Sequence, residues 1–179
     1  MAPGQRIAEL EAGSGYYAIR LARALGPVSP IMALDDDPSA LADVERRALD
    51  LGLPWVQTQL STGADPRLPP GAVDILLVAD GYATIEEPYA FFARAAPAIS
   101  AGGRLAVIAL DLDIQLGGMP LELVRCELES LGYRLDMSYR LVPADRYLAV
   151  FTPPEEPVRA SAVQACASDG SLHGYAPTR

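Results

Sequence analysis

The stretch Ile7-Ala8-Glu9-Leu10-Glu11-Ala12-Gly13-Ser14-Gly15-Tyr16 decides the architecture. Ile7 to Leu10 is a short apolar run. It stops at the small residues Ala12 to Gly15, and Tyr16 to Leu25 follows with Ile19, Ala22 and Leu25 at helical spacing. The spacing predicts strand, tight turn, helix. A glycine turn in that place lets backbone N–H groups and a helix N-terminus approach a ligand closely. With Ala18, the glycines fit the dinucleotide pattern G-x-G-x-x-A, which is short and also describes a plain strand-to-helix link. Gly13, Ser14 and Gly15 are therefore candidate binding residues. Asp35 stands 20 residues after Gly15, at the end of a second apolar run, Ile31 to Leu34. A carboxylate there can accept both hydroxyls of a ribose. Asp36 shares that candidacy, while Asp37 reads equally as the cap of the helix that Pro38 opens.

The alternation continues outward. The Asp-Pro cap opens a helix through Leu51, closed by Gly52, and Trp55 to Leu60 reads as a third strand. A Gly/Pro-rich loop spans Ser61 to Gly71. Val73 to Ala79 is almost wholly apolar, as a strand buried on both faces requires. Pro88 to Ile99 reads as a helix, Ala101-Gly102-Gly103 as a turn, and Arg104 to Leu110 as the next strand. Leu121 to Leu131 carries Leu121, Val124, Leu128 and Leu131 on one helical face. Arg134 to Leu141 and Arg146 to Phe151 have no helix between them and should pair antiparallel. The expected fold class is α/β, with a mostly parallel sheet, helices on both faces and an antiparallel edge.

Composition narrows the chemistry. The chain has 179 residues and a net charge of −9, and all 14 of its basic residues are arginine. A surface of that sign argues against nonspecific nucleic-acid binding, which needs phosphate-neutralising cations. No apolar run approaches the ~20 residues of a membrane span. The only histidine, His173, lies in a tail-like region. Two cysteines, Cys126 and Cys166, are too few for a disulfide framework or a structural zinc site. Cys126 should be an inert thiol beside Glu127 and Glu129, and Cys166 an exposed one. No metal site is expected, and the chain reads as cytoplasmic.

Taken together, the landmarks resemble the class I S-adenosylmethionine-dependent methyltransferases of short bacterial type. Glu9 to Tyr16 resembles the acidic strand end and glycine turn of that family, and Ala33-Leu34-Asp35-Asp36-Asp37-Pro38 its ribose-binding strand end. Asp65-Pro66-Arg67-Leu68-Pro69 with Gly71-Ala72-Val73-Asp74, Ala101-Gly102-Gly103-Arg104-Leu105, and Leu128-Glu129-Ser130-Leu131-Gly132-Tyr133 follow in the same order. The resemblance covers roughly residues 5–152. It implies a seven-stranded Rossmann-like sheet of order 3-2-1-4-5-7-6 with strand 7 antiparallel. It also implies S-adenosylmethionine as cofactor, held by Glu9, Glu11, Gly13, Ser14, Gly15, Asp35, Asp36, Asp65, Asp80 and Tyr82. In that reading Asp65 faces the adenine, Asp80 takes the amino group of the methionine moiety, and Tyr82 orients a substrate.

The chain departs from the family at three places. Glu11 stands where the family has the first glycine of its turn, so its side chain either fills the pocket, attracts the cofactor's cationic end, or points away. Ser61 to Asp65 offers one acid, Asp65. Ala83 and Thr84 stand where histidines are expected after Tyr82, and no catalytic residue is assigned. The implied function is methyl transfer to a small-molecule acceptor, with a non-catalytic structural or interaction subunit as the alternative. Residues 1–152 form the expected domain. Residues 153–179 form a Pro/Ala/Ser-rich flexible tail that offers a route to a protein partner.

Overall fold

The computed structural model describes residues 1–142, 145–156 and 158–167. His173 and the rest of the C-terminal segment past residue 167 lie outside the described residues. Four helices and seven strands follow one another as β1 (Ile7–Leu10), α1 (Tyr16–Leu25), β2 (Ile31–Asp35), α2 (Pro38–Asp50), β3 (Val56–Leu60), β4 (Val73–Ala79), α3 (Pro88–Ala95), β5 (Ile99–Leu110), α4 (Leu121–Ser130), β6 (Arg134–Leu141) and β7 (Arg146–Thr152). They build one sheet of order β3-β2-β1-β4-β5-β7-β6. β1 to β5 run parallel, and β7 runs antiparallel to β5 and β6. The expected seven-stranded α/β sheet and its edge hairpin are present.

Side-chain alternation along each strand sorts the core into two layers. Leu76 and Val78 of β4 pack with Phe91, Phe92, Val124 and Leu128 from α3 and α4. Ile75, Leu77 and Ala79 pack on the opposite face with Ala18, Ile19, Ala22 and Val44 from α1 and α2. Phe91 and Phe92 are fully buried with rings 5.5 Å apart, edge to face. The sheet is pinned at its bottom by Arg6, which meets both oxygens of Asp74 from its side chain and one from its backbone amide. That pairing holds the Asp74 carboxyl well below the usual carboxylate range.

Three local features differ from the sequence-based expectation. β5 begins at Ile99, because the chain passes through Gly102 at φ +79 without leaving the sheet. Only Val73 to Ile75 of β4 stands opposite Ile99 to Arg104, so the extra residues are absorbed as an irregularity of the strand. α3 stops at Ala95, where Pro97 enforces a 3-10 turn.

The third concerns the cysteines, which are neither an inert nor an exposed thiol but a disulfide, with Cα atoms 6.1 Å apart. The pairing carries the chain after β7 back over α3 and α4. Val163 and Cys166 pack against that core layer, and the Cys166 amide donates to the Tyr89 hydroxyl at 2.7 Å. Residues 153–167 thus include a segment fastened to the domain.

Candidate functional site

The strand order reverses between β1 and β4, the place where open α/β sheets leave a crevice. Two side chains frame it from strained backbone. Glu11, just past β1, has φ +52, and Asp80, just past β4, has φ +62. Left-handed backbone costs a residue with a side chain about 1–2 kcal/mol and concentrates at functional sites.

The turn after β1 is held by carboxylates. Glu9 is buried, and its Oε2 accepts from the Ala18 amide at 2.6 Å. Burial pushes its pKa up to about 7, against the opposing pull of the Ala18 and Tyr17 amides. Asp35 is also buried. Its Oδ2 accepts from the Gly13 amide at 2.7 Å and its Oδ1 from the Asp37 amide at 2.9 Å. The expected free ribose acceptor is therefore occupied by the turn, although each oxygen retains a second lone pair. Gly15 at φ +71 has no room for a side chain, since a Cβ would lie 2.8 Å from Val44 Cγ2. Ser14 and Asp36 are exposed. Asp37 caps α2 by accepting from the Ser39 amide, as its alternative reading expects.

Glu11 lies neither loose in solvent nor in the cavity described below. Its carboxylate accepts from the Thr84 hydroxyl at 3.1 Å, and its Cβ packs against Gly81. It bridges the tips of β1 and β4. Asp65 is half-buried and serves its own loop, with Oδ1 accepting from the Arg67 amide at 2.7 Å. Beside Asp35, Ser61 at the end of β3 is buried, and its hydroxyl has no partner among the described residues. Tyr82 is 2% exposed, stacks on Phe92 at 5.0 Å and donates to Glu127 Oε2 at 2.9 Å, so the 3-10 turn Tyr82–Thr84 packs its ring into the core, while the residue also borders a small cavity beside Asp80.

On the α1 side of the sheet, a cavity of about 590 Å³ opens beside the glycine turn. Its walls include Glu9, Ala12, Tyr17, Ala79, Asp80 and Ile108, and Arg146 supplies its cation. Arg146 reaches from the first residue of β7, and its Nη1 lies 2.7 Å from each Asp80 oxygen. Tyr17 donates from its hydroxyl to Asp80 Oδ2 at 3.4 Å. A smaller cavity of about 150 Å³, bordered by Gly117, Gly118 and Met119, shares Asp80 and Arg146 with the larger one. Sequence reasoning missed Arg146. Its only signal was a lone cation at the start of the terminal strand. Among the described residues no cluster of His, Cys, Asp and Glu is placed to hold a metal ion.

The "Methyltransferase domain" family profile matches residues 9–107, which carry the turn, Asp35, Asp80 and the reversal of strand order. The chain belongs to that family. Its architecture is that of the class I S-adenosylmethionine-dependent methyltransferases. A 55-residue stretch is 40% identical to a tRNA (guanine(6)-N2)-methyltransferase of Thermus thermophilus, covering 31% of this chain and 16% of that protein. The chain thus spans about a sixth of the curated relative it matches.

Among solved structures, a SAM-dependent methyltransferase from Aquifex aeolicus superposes with a TM-score of 0.74 at 20% identity, over 84% of this chain and 82% of its own. A complex of the Haloferax volcanii Trm112 methyltransferase activator with a methyltransferase gives a TM-score of 0.70 at 12% identity, over 87% and 85%. At such identities the likeness is one of fold. No described helix is long and apolar enough to cross a membrane.

Proposed function

We propose that this methyltransferase-family chain transfers a methyl group from S-adenosylmethionine to a small-molecule acceptor. The observation that carries the reading is the cavity of about 590 Å³ at the tips of β1 and β4, left open because Glu11 turns to Thr84 instead of lining it. Its walls suit the cofactor's amino-acid end. Asp80 and Arg146 offer opposite charges, and Ala12, Ala79 and Ile108 offer apolar surface. At the adenosyl end, the spare lone pairs of the Asp35 carboxylate are consistent with the same ligand. Gly13, Ser14 and Gly15 would carry its middle, with Asp36 and Asp65 on the adenosyl side.

When bound, the cofactor supplies a methyl group on a sulfonium, open to in-line attack by an acceptor lone pair. The chain's part is positioning. Glu9, buried under the turn, fixes the N-terminal amides of α1. Asp80 and Arg146 border both the large cavity and the small one, where they can contact a bound ligand from either side. No histidine or metal cluster is needed if the acceptor is already nucleophilic, because orientation alone supplies much of the acceleration.

The net charge of −9 favours a small acceptor over tRNA, the substrate in the Thermus relative's name. The test is incubation of the purified chain with methyl-labelled S-adenosylmethionine and a panel of amines, phenols and carboxylates, with tRNA included. The reading expects S-adenosylhomocysteine to accumulate only when a small acceptor is present. Label appearing on tRNA alone would overturn the acceptor class. The absence of turnover with every acceptor, together with no cofactor binding, would leave an interaction subunit built on the same architecture.

A further inference from the structure

We propose that Arg146 is the carboxylate-binding residue for the cofactor's amino-acid end, working as a pair with Asp80, which takes the ammonium. This inference rests on the cofactor reading above and adds a residue that neither the glycine turn nor the family match reaches, since the match ends at residue 107.

Glu9 and Asp80 are the acidic residues on the wall of the large cavity, and Arg146 is its cation. An anionic group entering that space meets one favourable partner. The guanidinium is only partly engaged. A single nitrogen, Nη1, makes both contacts to Asp80 and a third, at 3.5 Å, to the Tyr17 hydroxyl. Among the described residues Nε and Nη2 carry no hydrogen bond. A planar fork with two donors still available is suited to a bidentate carboxylate.

β7 lies next to β5 and β5 next to β4, so Arg146 at the start of antiparallel β7 comes to the same end of the sheet as Asp80 at the end of β4. Running across the strand tips, Asp35 on β2, the turn on β1, Asp80 after β4 and Arg146 on β7 form one line. A ligand with its ribose at Asp35 and its chain crossing the turn brings its zwitterionic end to Asp80 and Arg146. The pair is also half-open, with side chains 29% and 39% exposed. It is shielded enough to matter and reachable by a ligand.

The test compares ligands that differ only at that end. Calorimetric titration of the wild-type chain uses S-adenosylhomocysteine, its carboxyl methyl ester, and methylthioadenosine, which lacks the amino-acid end. The same titrations are made on Arg146→Gln and Arg146→Lys, with thermal unfolding as the check on folding. The wild type should bind S-adenosylhomocysteine at least tenfold more tightly than the ester. Arg146→Gln should erase that preference and leave methylthioadenosine affinity within about twofold, and Arg146→Lys should restore part of it.

Equal affinity of the wild type for acid and ester overturns the role of Arg146 and leaves the cofactor reading intact. Parallel weakening of methylthioadenosine in Arg146→Gln also overturns it, since the residue would then be shaping the whole site. If the wild type binds none of the three, the cofactor reading falls and the inference falls with it. Should Arg146→Gln not fold, the acid-against-ester comparison on the wild type still decides.

Discussion

The Glu9 carboxylate receives the Ala18 amide at 2.6 Å from beneath the first helical turn, inside the protein. Burial raises its pKa from 4.5 to about 7, with repulsion from Asp35 adding to the rise. The folded state therefore holds this proton more tightly than the unfolded chain does. The stability it contributes is complete below about pH 4.5 and is lost as pH rises through about 7. The account predicts that Glu9→Gln, which keeps an acceptor for Ala18, flattens that slope. Relative to wild type, it should gain on the order of 2–3 kcal/mol between pH 5 and pH 8. Denaturant melts of both proteins across that range check it, and parallel pH profiles would contradict it.

Glu11 at φ +52 occupies a position that glycine accepts without strain. Replacing it with Gly relieves about 1 kcal/mol of backbone strain and removes an exposed hydrogen bond to Thr84 worth about as much, so stability should shift by less than about 1 kcal/mol. Replacing it with Val keeps the strain, adds a β-branch and loses the bond, and should cost about 2 kcal/mol. A Cβ at Gly81 would collide with the Cβ of Glu11, so Gly81→Ala should destabilise the wild type and be tolerated better in the Glu11→Gly background. A double-mutant cycle by thermal unfolding measures that coupling.

Tyr82→Phe would leave the Glu127 carboxylate, itself buried and raised in pKa by that burial, without its hydroxyl donor. A buried acceptor deprived of its partner costs about 1–3 kcal/mol. Stability should fall by that amount, and because Tyr82 also borders the small cavity, titration of the same variant with adenosyl ligands reads any separate role in the site. Weakened ligand binding with unchanged stability would contradict the structural role of the hydroxyl and put its role in the site.

The Cys126–Cys166 bond closes a loop across 40 residues. Breaking it should lower unfolding free energy by about 2–4 kcal/mol. Unfolding the oxidised chain beside Cys126→Ser with Cys166→Ser measures this. The redox state of the pair in freshly isolated protein also tests the cytoplasmic expectation, because such bonds persist in oxidising surroundings.

The sheet was legible in the sequence because its strands are short apolar runs punctuated by Gly, Pro and Asp, and parallel strands buried on both faces leave little ambiguity of period. The turn from Glu11 to Gly15 was legible for the same reason. What escaped was everything that depends on two distant segments meeting. Asp80 and Arg146 are separated by 66 residues and meet only because β7 inserts between β5 and β6. The cysteines pair because the chain doubles back over α3 and α4. Asp35 was placed correctly at the tip of its strand, but its orientation toward the Gly13 amide follows from packing that no spacing encodes. The packing of Tyr82 against Phe92 was not legible either. A residue in a 3-10 turn carries no periodicity to tell which side is buried.

The most direct measurement is calorimetric titration of the wild-type chain with S-adenosylhomocysteine. The account predicts saturable binding at one site with a Kd tighter than about 100 μM, or about −5.5 kcal/mol. No heat of binding up to millimolar ligand, from a chain whose cooperative melt shows it folded, would contradict it.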